Sequence, residues 1–186
     1  HLLILDAENC QVQKFGENGT FIDAYGSCGT GDLEFDFEHG SGDPDGGIDI
    51  DSDGNIYIAD TGNDRVVKLN STGGFVKTIG TAGNAAGQFA SPVAIEIDSN
   101  DNLWVTDEDN GGKIVKYDTD GVYGSLEITD DLVDPASVTS NSTHLVVVDT
   151  NDDEVKIYKI SEGNAAPAAT FGGNGSSTGQ LYNPVD

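Results

Sequence analysis

The densest oxygen chemistry in this sequence is the run Asp49-Ile-Asp51-Ser-Asp53-Gly54. Carboxylates at alternate positions followed by glycine suit a tight Ca²⁺ turn, because the ion gathers carboxylate and carbonyl oxygens around a sharp bend. Ile56 and Asp60 stand at further loop positions. The flanks alternate as strands do and the last ligand is Asp rather than Glu, which argues against an EF-hand. An ordinary hairpin turn is the competing reading. A second acid, Glu96 in Ala94-Ile-Glu-Ile-Asp98, matches Asp49 in Gly47-Ile-Asp-Ile-Asp51, and Thr139 takes the third such place. The flanking isoleucines point to the opposite face of the strand. Facing a shared channel, the two acids would form part of a cation site; lying between packed sheets, they would be hydrogen-bonded. Asp49, Asp51, Asp53 and Glu96 are the candidate Ca²⁺ ligands.

Other chemistry is thin. The histidines are His1, His39 and His144. His1 and His144 sit at matching strand starts, and His39 lies in the acidic loop from Asp32 to His39. There is no His-Glu-x-x-His or phosphate loop. No catalytic residue is assigned.

The elements that must position these residues come from a repeat. Leu2-Leu-Ile-Leu-Asp6, Asn55-Ile-Tyr-Ile-Ala-Asp60, Asn102-Leu-Trp-Val-Thr-Asp107 and His144-Leu-Val-Val-Val-Asp149 are apolar runs that each stop at Asp, spaced 54, 47 and 42 residues apart. Periods of about 40–50 residues with short strands indicate a propeller-like array. The units fall at about 1–46, 47–92, 93–135 and 136–186. In the second, 47–51, 56–59, 65–69 and 75–79 read as strands, separated by Asp/Asn-Gly turns that favour hairpins. Inner strands are expected near 47–51, 93–98 and 136–140. The repeated Asp6, Asp60, Asp107 and Asp149 are expected to cap the turn that follows each of them.

Gly54-Asn-Ile-Tyr-Ile-Ala-Asp-Thr-Gly-Asn-Asp-Arg-Val-Val-Lys-Leu69 resembles the NHL repeat, as does Thr78-Ile-Gly-Thr-Ala-Gly through Gly87-Gln-Phe to Pro92. Asp64 stands where that family has His. Gln11, Lys113 and Glu154 stand where Arg65 does, and Gly111-Gly112 reads as a small insertion. The resemblance is strong over 47–92 and weak over 120–143. It implies an all-β propeller of four-stranded antiparallel blades around a channel. About four units could close as a four-bladed ring or form a segment of a six-bladed one. The segment is preferred, since the chain starts inside a second strand, ends at the opening of a first and has no Met. Calcium loops of integrin-type propellers want a further acid where Tyr57 stands. The first unit is also similar to a blade of peptidyl-amidating lyase, an NHL-type enzyme that holds Zn²⁺ with several His. This chain cannot place three His in a channel, so that activity is not carried over.

Composition narrows the partners. Thirty-three Asp+Glu against eight Lys+Arg give a net charge of −25. Such a surface repels phosphate backbones, and a single Arg builds no basic face, so nucleic acid is excluded as a partner. The acid excess serves solubility, suits high salt or attracts Ca²⁺. No apolar run is long enough for a membrane-spanning helix. Cys10 follows the first Asp-ended strand and Cys28 follows that unit's last strand. Both connections fall at one end of a blade, so a Cys10–Cys28 disulfide is expected, favouring an extracellular or cell-surface home. Sequons at Asn18, Asn70, Asn141 and Asn174 are candidate glycosylation sites. The expectation is a non-enzymatic binding or assembly module with a protein or glycan partner or with itself, contacts being carried by loops 81–91 and 172–183. The alternative is part of a propeller lyase or hydrolase whose active site is completed by blades outside this chain.

Overall fold

The computed structural model describes residues 1–39, 43–44, 46–109, 111–162 and 166–185; His39, Asp43, Pro44 and Glu162 are described only in their backbone. Alternating apolar residues and hairpin turns build β1 (Leu2–Asp6), β2 (Gln11–Phe15), β3 (Phe21–Tyr25), β4 (Ser27–Cys28), β5 (Glu34–Phe35), β6 (Glu38–His39) and β7 (Asp43–Pro44). The second unit holds β8 (Ile48–Ile50), β9 (Ile56–Asp60), β10 (Arg65–Leu69) and β11 (Phe75–Ile79). The third holds β12 (Pro92–Ile97), β13 (Asn102–Asp107), β14 (Lys113–Asp118) and β15 (Tyr123–Ile128). The fourth holds β16 (Pro135–Ser140), β17 (His144–Asp149), β18 (Glu154–Lys159) and β19 (Ala169–Gly172). Among the described residues these form three four-stranded antiparallel meanders, β8–β11, β12–β15 and β16–β19, and one three-stranded meander, β1–β3. The fold is all-β, with blades of a partial propeller.

Local turn chemistry explains each hairpin. Between β8 and β9, Gly54 donates to the Asp51 carbonyl at 2.9 Å and takes φ +82°, a conformation costless only for glycine. In the third unit Asp101 takes that place at φ +56°. Asp tolerates the left-handed region better than branched residues do.

The core lies between blades. Val12, Phe35 and Phe37 pack on Ile56, Ile58 and Val67 across the first and second units. Tyr57, Val66 and Ile79 pack on Ile95, Val105 and Tyr117 across the second and third. Trp104 and Ile114 pack on Val138, Val147 and Tyr158 across the third and fourth. Truncating a buried aromatic of this kind costs roughly 3–5 kcal/mol. No helix among the described residues is long and apolar enough to cross a membrane.

Candidate functional site

The connection leaving the fourth strand of a unit folds into the same loop three times. Ser27 and Cys28 pair in parallel with Glu34 and Phe35, Ala82 bridges Phe89, and Asn174 bridges Leu181. In each loop the N–H of one glycine, Gly29, Gly83 or Gly175, donates to the carbonyl of Phe35, Phe89 or Leu181 at 3.1, 2.8 and 3.0 Å. An acceptor one residue earlier braces the tip. Glu34 Oε2 takes Gly31 N–H at 2.9 Å, Gln88 Oε1 takes Ala85 N–H at 3.0 Å, and Gln180 Oε1 takes Ser177 N–H at 3.2 Å. A Cβ on Gly26 or Gly80 would come within 2.4 or 2.3 Å of the Phe35 or Phe89 ring, and one on Gly172 within 2.9 Å of Leu181. Glycine is thus required so that the residue nine positions on can close the loop. The sequence reading saw these stretches as loops but missed their folded form; the signal was the Gly-x8-Phe/Leu spacing followed back to Glu or Gln.

The next blade locks the first and second of these loops in place. Arg65 donates to the carbonyls of Thr30, Gly31 and Glu34 at 3.1, 2.7 and 2.8 Å, and Asn63 Nδ2 to Gly29 at 2.9 Å. Lys113 Nζ donates to the Gln88 carbonyl at 2.7 Å. The first loop is further held by the Cys10–Cys28 disulfide, Cα–Cα 4.8 Å, which joins the turn after β1 to β4.

The turns after Asp6 and Asp60 have no side-chain cap hydrogen bond, where the sequence led us to expect one. Asp60, Asp107 and Asp149 reach backward to the segment entering the inner strand. Asp60 accepts from Asp36 N–H at 2.7 Å, Asp107 from Ser91 N–H at 2.6 Å, and Asp149 from Val133 and Asp134 N–H at 3.0 and 2.9 Å. The buried carboxylate satisfies these incoming amides. A cation completes the pair: Arg65 at 2.6 Å from Asp60, Lys113 at 3.5 Å from Asp107 and Lys156 at 2.9 Å from Asp149. Burial pushes the carboxyls of Asp60 and Asp107 up, against the pull of those donors.

The candidate calcium ligands separate into two places. Asp51 closes its hairpin, with Oδ1 accepting from Asp53 and Asn55 N–H and Oδ2 from Asn55 Nδ2 and Tyr57 Oη at 2.8 and 2.9 Å. Burial opposes ionisation there, but these donors, with Lys68 at 3.6 Å, hold the carboxyl below its usual range. Asp98, which sequence reasoning passed over, is its counterpart and takes the Trp104 indole N–H at 2.9 Å. Asp53 sits on the exposed side of the turn. Asp49 and Glu96 lie on the inner strands and tie neighbouring blades. Asp49 accepts from Ile97 N–H at 2.7 Å, and Glu96 from Ser140 Oγ at 2.5 Å. Burial raises the Glu96 carboxyl, and the charges of Asp49 and Asp98 add to it. Among the described residues no three His, Cys, Asp or Glu side chains gather into a metal-holding group.

Three sequon asparagines brace their own turns through the carboxamide oxygen: Asn18 accepts from Thr20 N–H, Asn70 from Thr72 N–H and Asn141 from Thr143 N–H. Asn174 instead spends its Nδ2 on Asp153 at 2.6 Å.

Residues 48–162, more than half of the chain, match a family described as a 6-bladed beta-propeller, DUF5128. The chain belongs to this family. The likeness to NHL repeats stays a resemblance of its second unit. No curated protein sequence matches the chain. Among solved structures it is similar to a streptogramin B lyase, TM-score 0.61 at 17% identity, covering 86% of this chain and 48% of that one. A virginiamycin B lyase from Staphylococcus aureus, determined with quinupristin, gives 0.63 at 16%, covering 86% and 52%. The hydrazine synthase of Kuenenia stuttgartiensis gives 0.58 at 11%, covering 74% and 36%. At these identities the likeness is one of fold. The chain spans about half the length of the two lyases.

Proposed function

We propose that this six-bladed-propeller chain acts outside the cell or at its surface as a binding module, and that it takes a protein or glycan on the end of the blades that carries the three like loops. The observation that carries the reading is the threefold loop itself. Exposed tips are held on a braced, clamped base, which is how rigid scaffolds present contact residues. The disulfide at the first loop suits an oxidising compartment. The buried acids and cations are engaged in holding this base. The test is binding of the purified chain to immobilised glycans and extended peptides, compared with a variant carrying Ala85→Lys and Ala86→Lys at one tip. Loss of binding at an unchanged melting temperature is the expected result. Turnover of a streptogramin such as quinupristin by the chain would overturn it in favour of a lyase.

The same proposal assigns Ca²⁺ to the row of Asp49 and Glu96, where neighbouring carboxylates repel and a divalent ion would relieve them. Melting in millimolar Ca²⁺ should then exceed that in NaCl of matched ionic strength, and the excess should vanish in Asp49→Asn. Equal melting in the two salts would mean screening alone.

A further inference from the structure

The clamps on the first two loops are not equal. Arg65 and Lys113 hold the same place: each opens its strand and pairs with the buried Asp of the strand before, Asp60 or Asp107. Counting back from Phe35 and Phe89, the carbonyls of Thr30, Gly31 and Glu34 correspond to those of Asn84, Ala85 and Gln88. Arg65 serves all three of the first set, with Nη1 on Thr30 and Nη2 on Gly31 and Glu34. Lys113 reaches the Gln88 carbonyl, the counterpart of Glu34's. An ammonium is a compact point donor and does not fork as a planar guanidinium does. The turn beside it is also longer. Five residues, 108–112, join β13 to β14, where four, 61–64, join β9 to β10. Gly112 packs so closely on Pro135 and Val133 that a Cβ would come within 2.9 Å, so this turn rests on the segment entering the fourth unit. A Cβ on Gly111 would meet nothing within 4 Å. A cavity of about 200 Å³ lies here, lined among others by Asn84, Asp109, Gly111, Lys113 and Glu127.

We infer that this cavity is a guanidinium site filled from outside: it takes the arginine side chain of a partner protein, in the place that Arg65 fills at the preceding loop. The inference rests on the binding reading above and narrows its partner to a polypeptide that presents arginine at the contact. The internal counterpart specifies the occupant, because the second loop repeats the backbone that Arg65 reads on the first. The register adds charge. Glu127 stands opposite Val115 as Thr78 stands opposite Val67, so a carboxylate replaces a hydroxyl at this interface. Glu127 Oε1 takes the Gly87 N–H at 2.8 Å and lies 3.9 Å from Lys113 Nζ. With Asp109, two carboxylates face one ammonium in the lining, which leaves it net negative. Carboxylates match the guanidinium fork, and a chain of net charge −25 steers cations toward its surface.

The test titrates the isotope-labelled 186-residue chain with N-acetyl-arginine methylamide and follows amide shifts by NMR. Saturable shifts at Asn84, Gly111 and Glu127 are expected. The citrulline analogue, which keeps the shape and loses the charge, should bind roughly tenfold more weakly. Glu127→Gln, which keeps an oxygen for the Gly87 N–H, should weaken the arginine probe by a similar factor at unchanged melting temperature. Lys113→Arg should abolish probe binding without lowering the melting temperature, because the chain then fills the cavity with its own guanidinium. No saturable shift in the wild-type chain, equal binding of the citrulline analogue, or wild-type affinity in Lys113→Arg would each overturn the inference. So would shifts at the same amides with methyl galactoside and none with the arginine probe, which would make the ligand a glycan. If the arginine probe fails while the chain still captures a glycan or peptide through the tip at Ala85 and Ala86, this site falls and the wider binding reading stands.

Discussion

In the second blade Asp60 meets Arg65 five residues later, at the start of the adjacent strand, at 2.6 Å. In the fourth, Glu154 occupies the Arg65 position, and Asp149 is met at 2.9 Å by Lys156, two residues further along. Lys156 also binds Asp152 at 2.5 Å and the Asp131 carbonyl, and it is fully buried. Burial would lower its pKa, but the two aspartates outweigh that and hold it charged. The first blade follows the fourth: Gln11 stands in the Arg65 place, while Gln13 reaches Asp6 at 2.5 Å. What recurs is a carboxylate closed by a donor on the neighbouring strand, and in the second to fourth units it also accepts the entering backbone. The position of that donor is free to slide by one side-chain repeat. A same-face neighbour two residues on serves equally.

The sharpest way to break this comparison is Asp60→Ala. It strips Arg65 and the Asp36 amide of their acceptor together, and losing one member of a buried pair costs roughly 3–5 kcal/mol. On a chain of this size that is a fall in melting temperature of about 6–20 °C, read by circular dichroism. Lys156→Val should cost about 3 kcal/mol by the same logic. Adding Glu154→Arg should restore most of it, since the cation then returns to the position Arg65 uses. If the double variant melts no higher than the single one, the two clamps are not interchangeable.

Reduction sharpens the comparison of the loops. Only the first is covalently tied, across a separation of 18 residues. Cys10→Ser with Cys28→Ser should cost about 3 kcal/mol in the loop-entropy picture. Proteolysis should then cut near 29–33 well before it cuts the untied loops at 81–89 and 174–181. The smallest effect belongs to Asp51. Its folded pKa lies below the ordinary value of 3.8, so its contribution is present above that pH and is lost as pH falls through the folded value. Asp51→Asn should therefore flatten the dependence of melting temperature on pH below about 4 and change it little at neutrality.

Strands and hairpin turns were legible because they rest on neighbouring residues. Alternation in 65–69 or the Asp-Gly of 53–54 carries its own explanation. The cysteine pairing was legible from the two connections sharing an end of the blade. The direction in which Asp60, Asp107 and Asp149 reach was not. Their partners lie 15–24 residues earlier, brought back by the closing of the meander. The Asp51–Asp98 correspondence was hidden for a different reason. A Ca²⁺-like run drew attention to Asp51, while Asp98 lay in a plainer context although Trp104 makes it the equal of its counterpart. Only the rings and Leu181 packed against Gly26, Gly80 and Gly172 show that these glycines are contacts.

Because each apolar cluster joins one blade only to the next, cohesion in this molecule passes between nearest neighbours, as in a stacked array. The two middle sheets share a cluster on each side, whereas β1–β3 and β16–β19 share one apiece among the described residues. Amide hydrogens should then exchange in a graded order, slowest in β9, β10, β13 and β14 and fastest in β1 and β19. Opening would begin at the flanks and travel inward, so a partner that seats on either flank would slow exchange across the whole array.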